Sequence, residues 1–131
     1  MKNILPKSAL ISLSDKTNLD LLVSFLLERN VEIISTGGTY KAIKKITNNV
    51  MEVSEYTGHK EMMGGRVKTL HPKIHAGILA RRGEDTDILK SMDYKEIDIV
   101  VVNLYPFEET INSGCSFEEA IEQIDIGGPT M

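Results

Sequence analysis

Two short segments carry side chains that could hold an anion. Ser12-Leu13-Ser14-Asp15-Lys16 offers hydroxyls, a carboxylate and an ammonium group, and Thr36-Gly37-Gly38-Thr39 places two glycines between hydroxyls. Glycine lets backbone N–H groups approach an anion closely, and the start of a following helix adds a favourable dipole. An isolated Gly-Gly turn is as often a plain turn. The prediction of a phosphate cradle therefore depends on Lys16, which could neutralise the anion, lying beside it.

Further polar groups stand later in the chain. The loop Gly65-Arg66-Val67-Lys68-Thr69 contains two cations and a hydroxyl. Asn103 and Tyr105 follow a long apolar run, and Asp125-Ile126-Gly127 puts a carboxylate in a glycine turn. Each segment also has an ordinary interpretation, as a solvated surface, a strand end or a turn. They become candidate ligand contacts only if the fold brings them together.

The histidines and the cysteine do not predict a metal site. His71 and His75 have the i, i+4 spacing of a ligand pair, but zinc needs at least a third protein ligand. Neither His59 nor Cys115 has a recognisable spacing to them. We therefore expect no metal, and we interpret the histidines as buried and hydrogen-bonded. A single cysteine allows no intrachain disulfide, which suits a reducing cytoplasm.

Composition excludes several classes of protein. A chain of 131 residues with 41% hydrophobic and 26% charged residues fits one globular domain of ordinary size. The net charge is -4 and the charges are scattered, whereas a nucleic-acid-binding surface needs clustered Lys and Arg. The apolar runs are too short to cross a bilayer. We expect neither nucleic acid nor membrane as a partner.

Hydrophobic periodicity predicts strands that alternate with helices. The predicted strands are 9–13, 31–35, 50–53 and 97–104, and the last is so uniformly apolar that we expect both of its faces to be covered. The predicted helices are 18–29, 40–46, 70–81, 85–92, 107–112 and 117–123, with a tight turn at 36–39 and a long functional loop at 54–68.

The helix ends and the fold class follow from the same pattern. Asp15 or Thr17 could cap the first helix, and Asn30 suits a left-handed stop. The alternation predicts an α/β fold with a mostly parallel sheet. In such a sheet ligands bind at the carboxyl ends of the strands, which is where the two anion-holding segments lie.

Five segments occur in an order that resembles one known family. They are residues 12–17 (SLSDKT), 35–39 (STGGT), 65–81 (GRVKTLHPKIHAGILAR), 102–107 (VNLYPF) and 125–130 (DIGGPT). Together they are similar to the N-terminal IMP cyclohydrolase domain of the bifunctional purine biosynthesis proteins, which join an AICAR formyltransferase to an IMP cyclohydrolase. The resemblance covers essentially the whole chain, and the block 65–81 is its most specific part.

The resemblance implies a fold and a reaction. The fold would be the methylglyoxal-synthase-like three-layer α/β/α sandwich with a mostly parallel sheet. The reaction would close the formamido-imidazole-carboxamide ribotide to IMP with loss of water. It implies a purine ribonucleotide as substrate, no cofactor, and a homodimer.

The resemblance also implies roles for individual residues. The 5′-phosphate would be held by Ser12, Ser14, Asp15 and Lys16 and by the segment 36–39. The base end would be lined by Arg66, Lys68, Thr69, Asn103, Tyr105, Asp125, Ile126 and Gly127. Lys68 or the Tyr105 hydroxyl would stabilise negative charge on the formyl oxygen. Asp125 would accept the amide proton or align a lysine.

Two departures from the family pattern bear on these expectations. Asn18 stands where the family commonly has glycine, with little consequence expected at a helix start. The chain ends at Met131, before a family lysine in an Ala-Ala-Ala-Lys-Asn-type segment and before the formyltransferase domain. We therefore expect residues 1–131 to be a cyclohydrolase domain incomplete at its C-terminal end and inactive alone.

Two rival functions share the expected fold. Methylglyoxal synthase has the same phosphate site, but the blocks 65–81 and 102–107 argue against it. A nucleotide-sensing module, like the allosteric domain of carbamoyl phosphate synthetase, would bind a ligand without Lys68, Tyr105 and Asp125 converging on it.

Overall fold

Four short apolar segments pair into one parallel sheet. The computed structural model describes residues 3–131. The strands are β1 (Ser8–Ser12), β2 (Glu32–Ser35), β3 (Val50–Glu52) and β4 (Ile99–Val102). They lie in the order β3-β2-β1-β4 and every pairing is parallel. The helices are α1 (Leu19–Glu28), α2 (Gly37–Lys44), α3 (Val53–Thr57), α4 (Pro72–Leu79), α5 (Thr86–Ser91), α6 (Phe107–Asn112), α7 (Phe117–Glu122) and α8 (Gly127–Thr130).

The alternation of side chains along β1 divides the core into two halves. Ala9 and Ile11 point to one face of the sheet, where they pack with buried residues of α1 and α2. Leu10 points to the other face, where it packs with buried residues of α3 and α4. Successive strand residues face opposite sides. The result is a three-layer α/β/α sandwich, which confirms the predicted fold class.

Strand β4 differs from its prediction. It is shorter than 97–104, and all four of its residues are half-buried rather than buried on both faces. It pairs only with β1 and lies at the edge of the described sheet. Helices α6 and α7, which follow it, contain no buried residue. An apolar run indicates that a segment is at least partly buried, but the elements that pack against it determine how much of its surface is buried.

The amino end of the sheet is tied together by Asp98. Its carboxylate accepts hydrogen bonds from the backbone N–H groups of Lys7 (2.7 Å) and Ser8 (3.2 Å), and it forms an ion pair with Arg82. Burial raises the pKa of Asp98, but the Arg82 hydrogen bond and the two backbone N–H groups outweigh it and hold the pKa below its usual value. This carboxylate fixes the start of β1 to the start of β4.

Three local predictions need correction. Helix α3 (Val53–Thr57) takes up the last residue of the predicted strand 50–53 and the first residues of the predicted loop 54–68. Gly37 and Gly38 are the first residues of α2, not a turn before it. The N-cap of α1 is Asn18, without a side-chain cap bond, rather than Asp15 or Thr17.

The backbone at Asn18 explains why the family commonly has glycine there. Its φ is 60°, a left-handed conformation that glycine and asparagine adopt most readily. The left-handed Asn30 after α1, predicted from sequence, is confirmed with φ 55°. Within residues 3–131, no helix is long and apolar enough to span a membrane.

Candidate functional site

A cleft of about 320 Å³ lies at the carboxyl ends of β1, β2 and β4. Its volume falls in the range of small-molecule sites. All the sequence-predicted site residues line it except Asp15 and Gly37. The lining thus includes Ser12, Ser14, Lys16, Thr36, Gly38, Thr39, Arg66, Lys68, Thr69, Asn103, Tyr105, Asp125, Ile126 and Gly127. Five segments far apart in sequence therefore meet at one surface.

One end of the cleft is built at the start of α2. Thr36 is its N-cap in extended conformation, and its hydroxyl is hydrogen-bonded to that of Ser12 at 2.8 Å. The Lys16 ammonium donates to the carbonyl oxygens of Leu13 (2.9 Å) and Ser14 (3.3 Å). A methyl group on Gly38 would lie 3.9 Å from Lys16 Nζ. A cation and a helix N-terminus thus face the same space, an arrangement that binds anions.

Lys68 reaches the same end of the cleft. A methyl group on Gly37 would lie 3.3 Å from Lys68 Nζ, and one on Gly65 would lie 3.7 Å from it. Glycine at these two positions leaves room for the ammonium group between the α2 start and the 58–71 loop. Gly37 does not line the cleft, but its lack of a side chain leaves space for the Lys68 ammonium group.

The loop from β1 to α1 is held by one side chain of α2 and one from the segment after β4. Thr39, which is buried, accepts a hydrogen bond from the Leu13 N–H (2.9 Å) and donates to the Leu13 carbonyl (3.0 Å). Asn103 accepts from the Ser14 N–H at 2.6 Å and donates to the Asp15 carbonyl at 2.8 Å. These two side chains satisfy backbone groups of the loop.

Asp15 turns away from the cleft. Its carboxylate accepts hydrogen bonds from the hydroxyl (2.6 Å) and the backbone N–H (2.9 Å) of Thr17. The Thr17 hydroxyl contributes most to lowering the pKa of this exposed carboxyl. Its role is to shape the turn, not to line the site.

Residues after β4 complete the lining of the cleft. Tyr105 is one of them and is 38% exposed. Asp125 accepts a hydrogen bond from the Gly128 N–H at 2.9 Å, in the first turn of α8. A methyl group on Gly127 would lie only 2.7 Å from the Thr69 hydroxyl oxygen. Glycine at 127 is therefore what lets the α8 turn approach the 58–71 loop.

Glu122 is a cleft residue that the sequence did not reveal. It forms an ion pair with Arg66 across the cleft, and both side chains are about half exposed. In the sequence Glu122 is one of several glutamates on a short exposed helix. Since its partner lies 56 positions earlier, no local signal distinguishes it from the others.

The histidines occupy two different environments. His71 caps α4 by accepting a hydrogen bond from the Lys73 N–H at 3.0 Å on Nδ1. Desolvation is the main cause that lowers the pKa of His71, aided by His59 and Lys73. His75 was expected to be hydrogen-bonded, but its buried Nε2 has no partner among the described residues. Within residues 3–131, no three His, Cys, Asp or Glu side chains are grouped to hold a metal ion.

Comparison with known proteins agrees with this architecture. The crystal structure of ForH superimposes with a TM-score of 0.76 at 32% sequence identity. The match covers 96% of this chain and 65% of the ForH chain, so this chain spans somewhat less than two thirds of that protein. Residues 19–130 match the MGS-like domain. Because that match takes in most of the chain, the protein belongs to the MGS-like domain family.

Proposed function

We propose that this chain is an IMP cyclohydrolase domain that closes the formamido-imidazole-carboxamide ribotide to IMP. The observation that carries the proposal is the shared cleft. Two ammonium groups, from Lys16 and Lys68, and the start of α2 line it together with Tyr105 and Asp125. A mononucleotide calls for both kinds of contact, cations for its phosphate and hydrogen-bonding groups for its base. In the parent protein we propose an additional AICAR formyltransferase domain, on the resemblance alone.

The proposed reaction needs orientation more than a reagent. The carboxamide nitrogen attacks the formyl carbon of the same molecule and forms the N–C bond. The formyl oxygen then leaves as water with one proton from the carboxamide nitrogen and one from the formamido nitrogen. Holding the two groups in a reactive geometry removes much of the entropic barrier. No redox step occurs, and no cofactor is part of the proposal.

The chain offers groups for the proton movements. The Tyr105 hydroxyl can donate to the formyl oxygen as negative charge develops on it. Asp125 can accept the carboxamide proton through the carboxylate oxygen that is not bonded to the Gly128 N–H. Lys68 stands nearest the start of α2. Its position there favours neutralising the phosphate.

Binding tests the phosphate end of this proposal. We expect Lys16→Ala to weaken IMP binding by roughly tenfold or more, the effect of one lost charge-assisted hydrogen bond. Inosine has the same base and ribose without the phosphate, so its affinity should not change. Calorimetry with both ligands measures the difference. Lys44→Ala, an exposed lysine at the opposite end of α2, is the matched control. Equal losses of affinity for IMP and inosine would mean that Lys16 does not bind the phosphate.

Turnover tests the reaction itself. Ring closure of the formylated ribotide is followed by absorbance, using this chain and a chain extended through the Ala-Ala-Ala-Lys-Asn-type segment that the resemblance implies. We expect the extended chain to produce IMP. Production of methylglyoxal from dihydroxyacetone phosphate would favour the rival enzyme. Tight IMP binding without any ring closure would favour the sensing module.

A further inference from the structure

Asn103 connects two strand ends that are adjacent in space and far apart in sequence. It follows β4, and the loop that it touches follows β1, which pairs with β4. Its Oδ1 accepts from the backbone N–H groups of Ser14 (2.6 Å) and Asp15 (3.3 Å), and its Nδ2 donates to the Asp15 carbonyl (2.8 Å). One side chain thus satisfies three backbone groups of a loop 88 positions or more away.

These contacts use both ends of the Asn103 amide. An amide oxygen accepts two hydrogen bonds, and here both come from the loop. The oxygen therefore has no acceptor site left for a base or a ribose. The family resemblance grouped Asn103 with residues that line the base end, but its hydrogen bonds go to the segment that carries Lys16.

We propose that Asn103 is a positioning residue for the phosphate end of the cleft. Resting on the proposed function, the inference is that Asn103 holds residues 14–16 so that Lys16 meets the ligand phosphate without rearrangement. Side chains that fix a binding group in advance improve binding because the loop does not have to be ordered when the ligand arrives. In enzymes, a misplacement of about 1 Å at such a group can lower the reaction rate by roughly 10²-fold.

The test separates phosphate from base recognition. Asn103→Ala should weaken IMP binding by roughly tenfold, as expected when the Lys16 contact is misaligned. Inosine affinity should stay within about twofold, since the base and ribose contacts remain. Equal weakening of both ligands would show that Asn103 touches the base or ribose, and would overturn the proposal. Unchanged affinity for both would overturn it as well.

A second measurement reads the loop directly. Hydrogen exchange should show the Ser14 and Asp15 amides protected in the unmutated protein and exchanging at least about tenfold faster in Asn103→Ala. Equal exchange rates in the two proteins would overturn the proposal. Asn103→Leu, which keeps the side-chain volume, replaces the alanine variant if that variant does not fold. Rapid exchange of both amides in the unmutated protein would overturn the proposal without any variant.

The two proposals can fail separately. If the unmutated protein binds neither IMP nor inosine, the proposed function is wrong. Inorganic phosphate then serves as the probe. Its affinity should still fall in Asn103→Ala while the loop amides lose protection, and an unchanged phosphate affinity would overturn the positioning role.

Discussion

The two walls of the cleft are held in different ways. The sheet body, residues 8–102, fixes its cleft residues with buried polar groups and with hydrogen bonds between elements. Thr39, for example, is 3% exposed and bonds to the end of β1. The C-terminal segment, residues 103–131, contains short helices without a buried residue. Its side chains include Phe117 at 77% and Ile126 at 61% exposure. Several of its hydrogen bonds join residues that are close in sequence.

Several hydrogen bonds of the C-terminal segment are local. Ser116 and Glu119 form a capping box at the start of α7, and Asp125 accepts a hydrogen bond from the nearby Gly128 N–H. Contacts with the sheet body include the Asn103 hydrogen bonds, the Arg66–Glu122 ion pair, and the packing of Met131 against the Leu10 side of the core. The comparison indicates that the cleft residues of the sheet body are held by more contacts between elements than those of the C-terminal segment.

Glycine replacement tests the comparison with the largest expected effect. Gly77 is buried in α4, and a methyl group there would lie 2.5 Å from the Lys95 carbonyl oxygen. Gly77→Ala should lower the free energy of unfolding by about 3 kcal/mol, because a backbone atom in a packed region cannot move aside easily. Gly127→Ala meets the Thr69 hydroxyl at 2.7 Å, but it should cost only about 1 kcal/mol because α8 can shift. Urea denaturation measures both, and equal losses would remove the distinction between the two regions.

Threonine replacement sharpens the comparison with an intermediate effect. Thr39→Val leaves the Leu13 N–H and carbonyl without their side-chain partner, at a cost of about 2 kcal/mol. Thr130→Val removes only an exposed hydrogen bond within α8 and should change stability by less than about 0.5 kcal/mol. Thr39→Ser keeps the hydroxyl and should recover most of the loss. A neutral Thr39→Val variant would mean that the β1–α1 loop does not need this bond.

Charge removal gives the smallest effect and a pH dependence. Asp98→Asn should cost about 1.5 kcal/mol near pH 7, because the side chain is 8% exposed and three donors share it. Since the pKa of Asp98 is lowered in the folded protein, its contribution is complete above its ordinary value of 3.8 and is lost as the pH falls through the lowered value. The difference in the free energy of unfolding between the unmutated protein and Asp98→Asn should therefore disappear at acid pH.

The matched charge in the C-terminal segment is Glu122. Glu122→Gln breaks a half-exposed pair with Arg66 and should change stability by less than about 1 kcal/mol. Thermal unfolding of both variants between pH 2 and pH 7 makes the comparison. This range spans the pKa of an ordinary carboxyl group, which is about 4. If Glu122→Gln lost more stability than Asp98→Asn, the C-terminal segment and not the sheet body would be the more firmly held region.

The sequence by itself determined the alternation of strands and helices, the parallel sheet, and the segments that could meet a ligand. These features depend on local chemistry: apolar periodicity, a left-handed Asn30, and glycines between hydroxyl-bearing residues. The tertiary structure decided what individual side chains do. Thr39 and Asn103 hold a loop, Asp15 faces away, Lys68 lies at the start of α2, and β4 is an edge strand. The reason is that the partners of Thr39 and Asn103 lie 26 and 88 or more positions away, and only the order of the strands brings them within hydrogen-bonding distance.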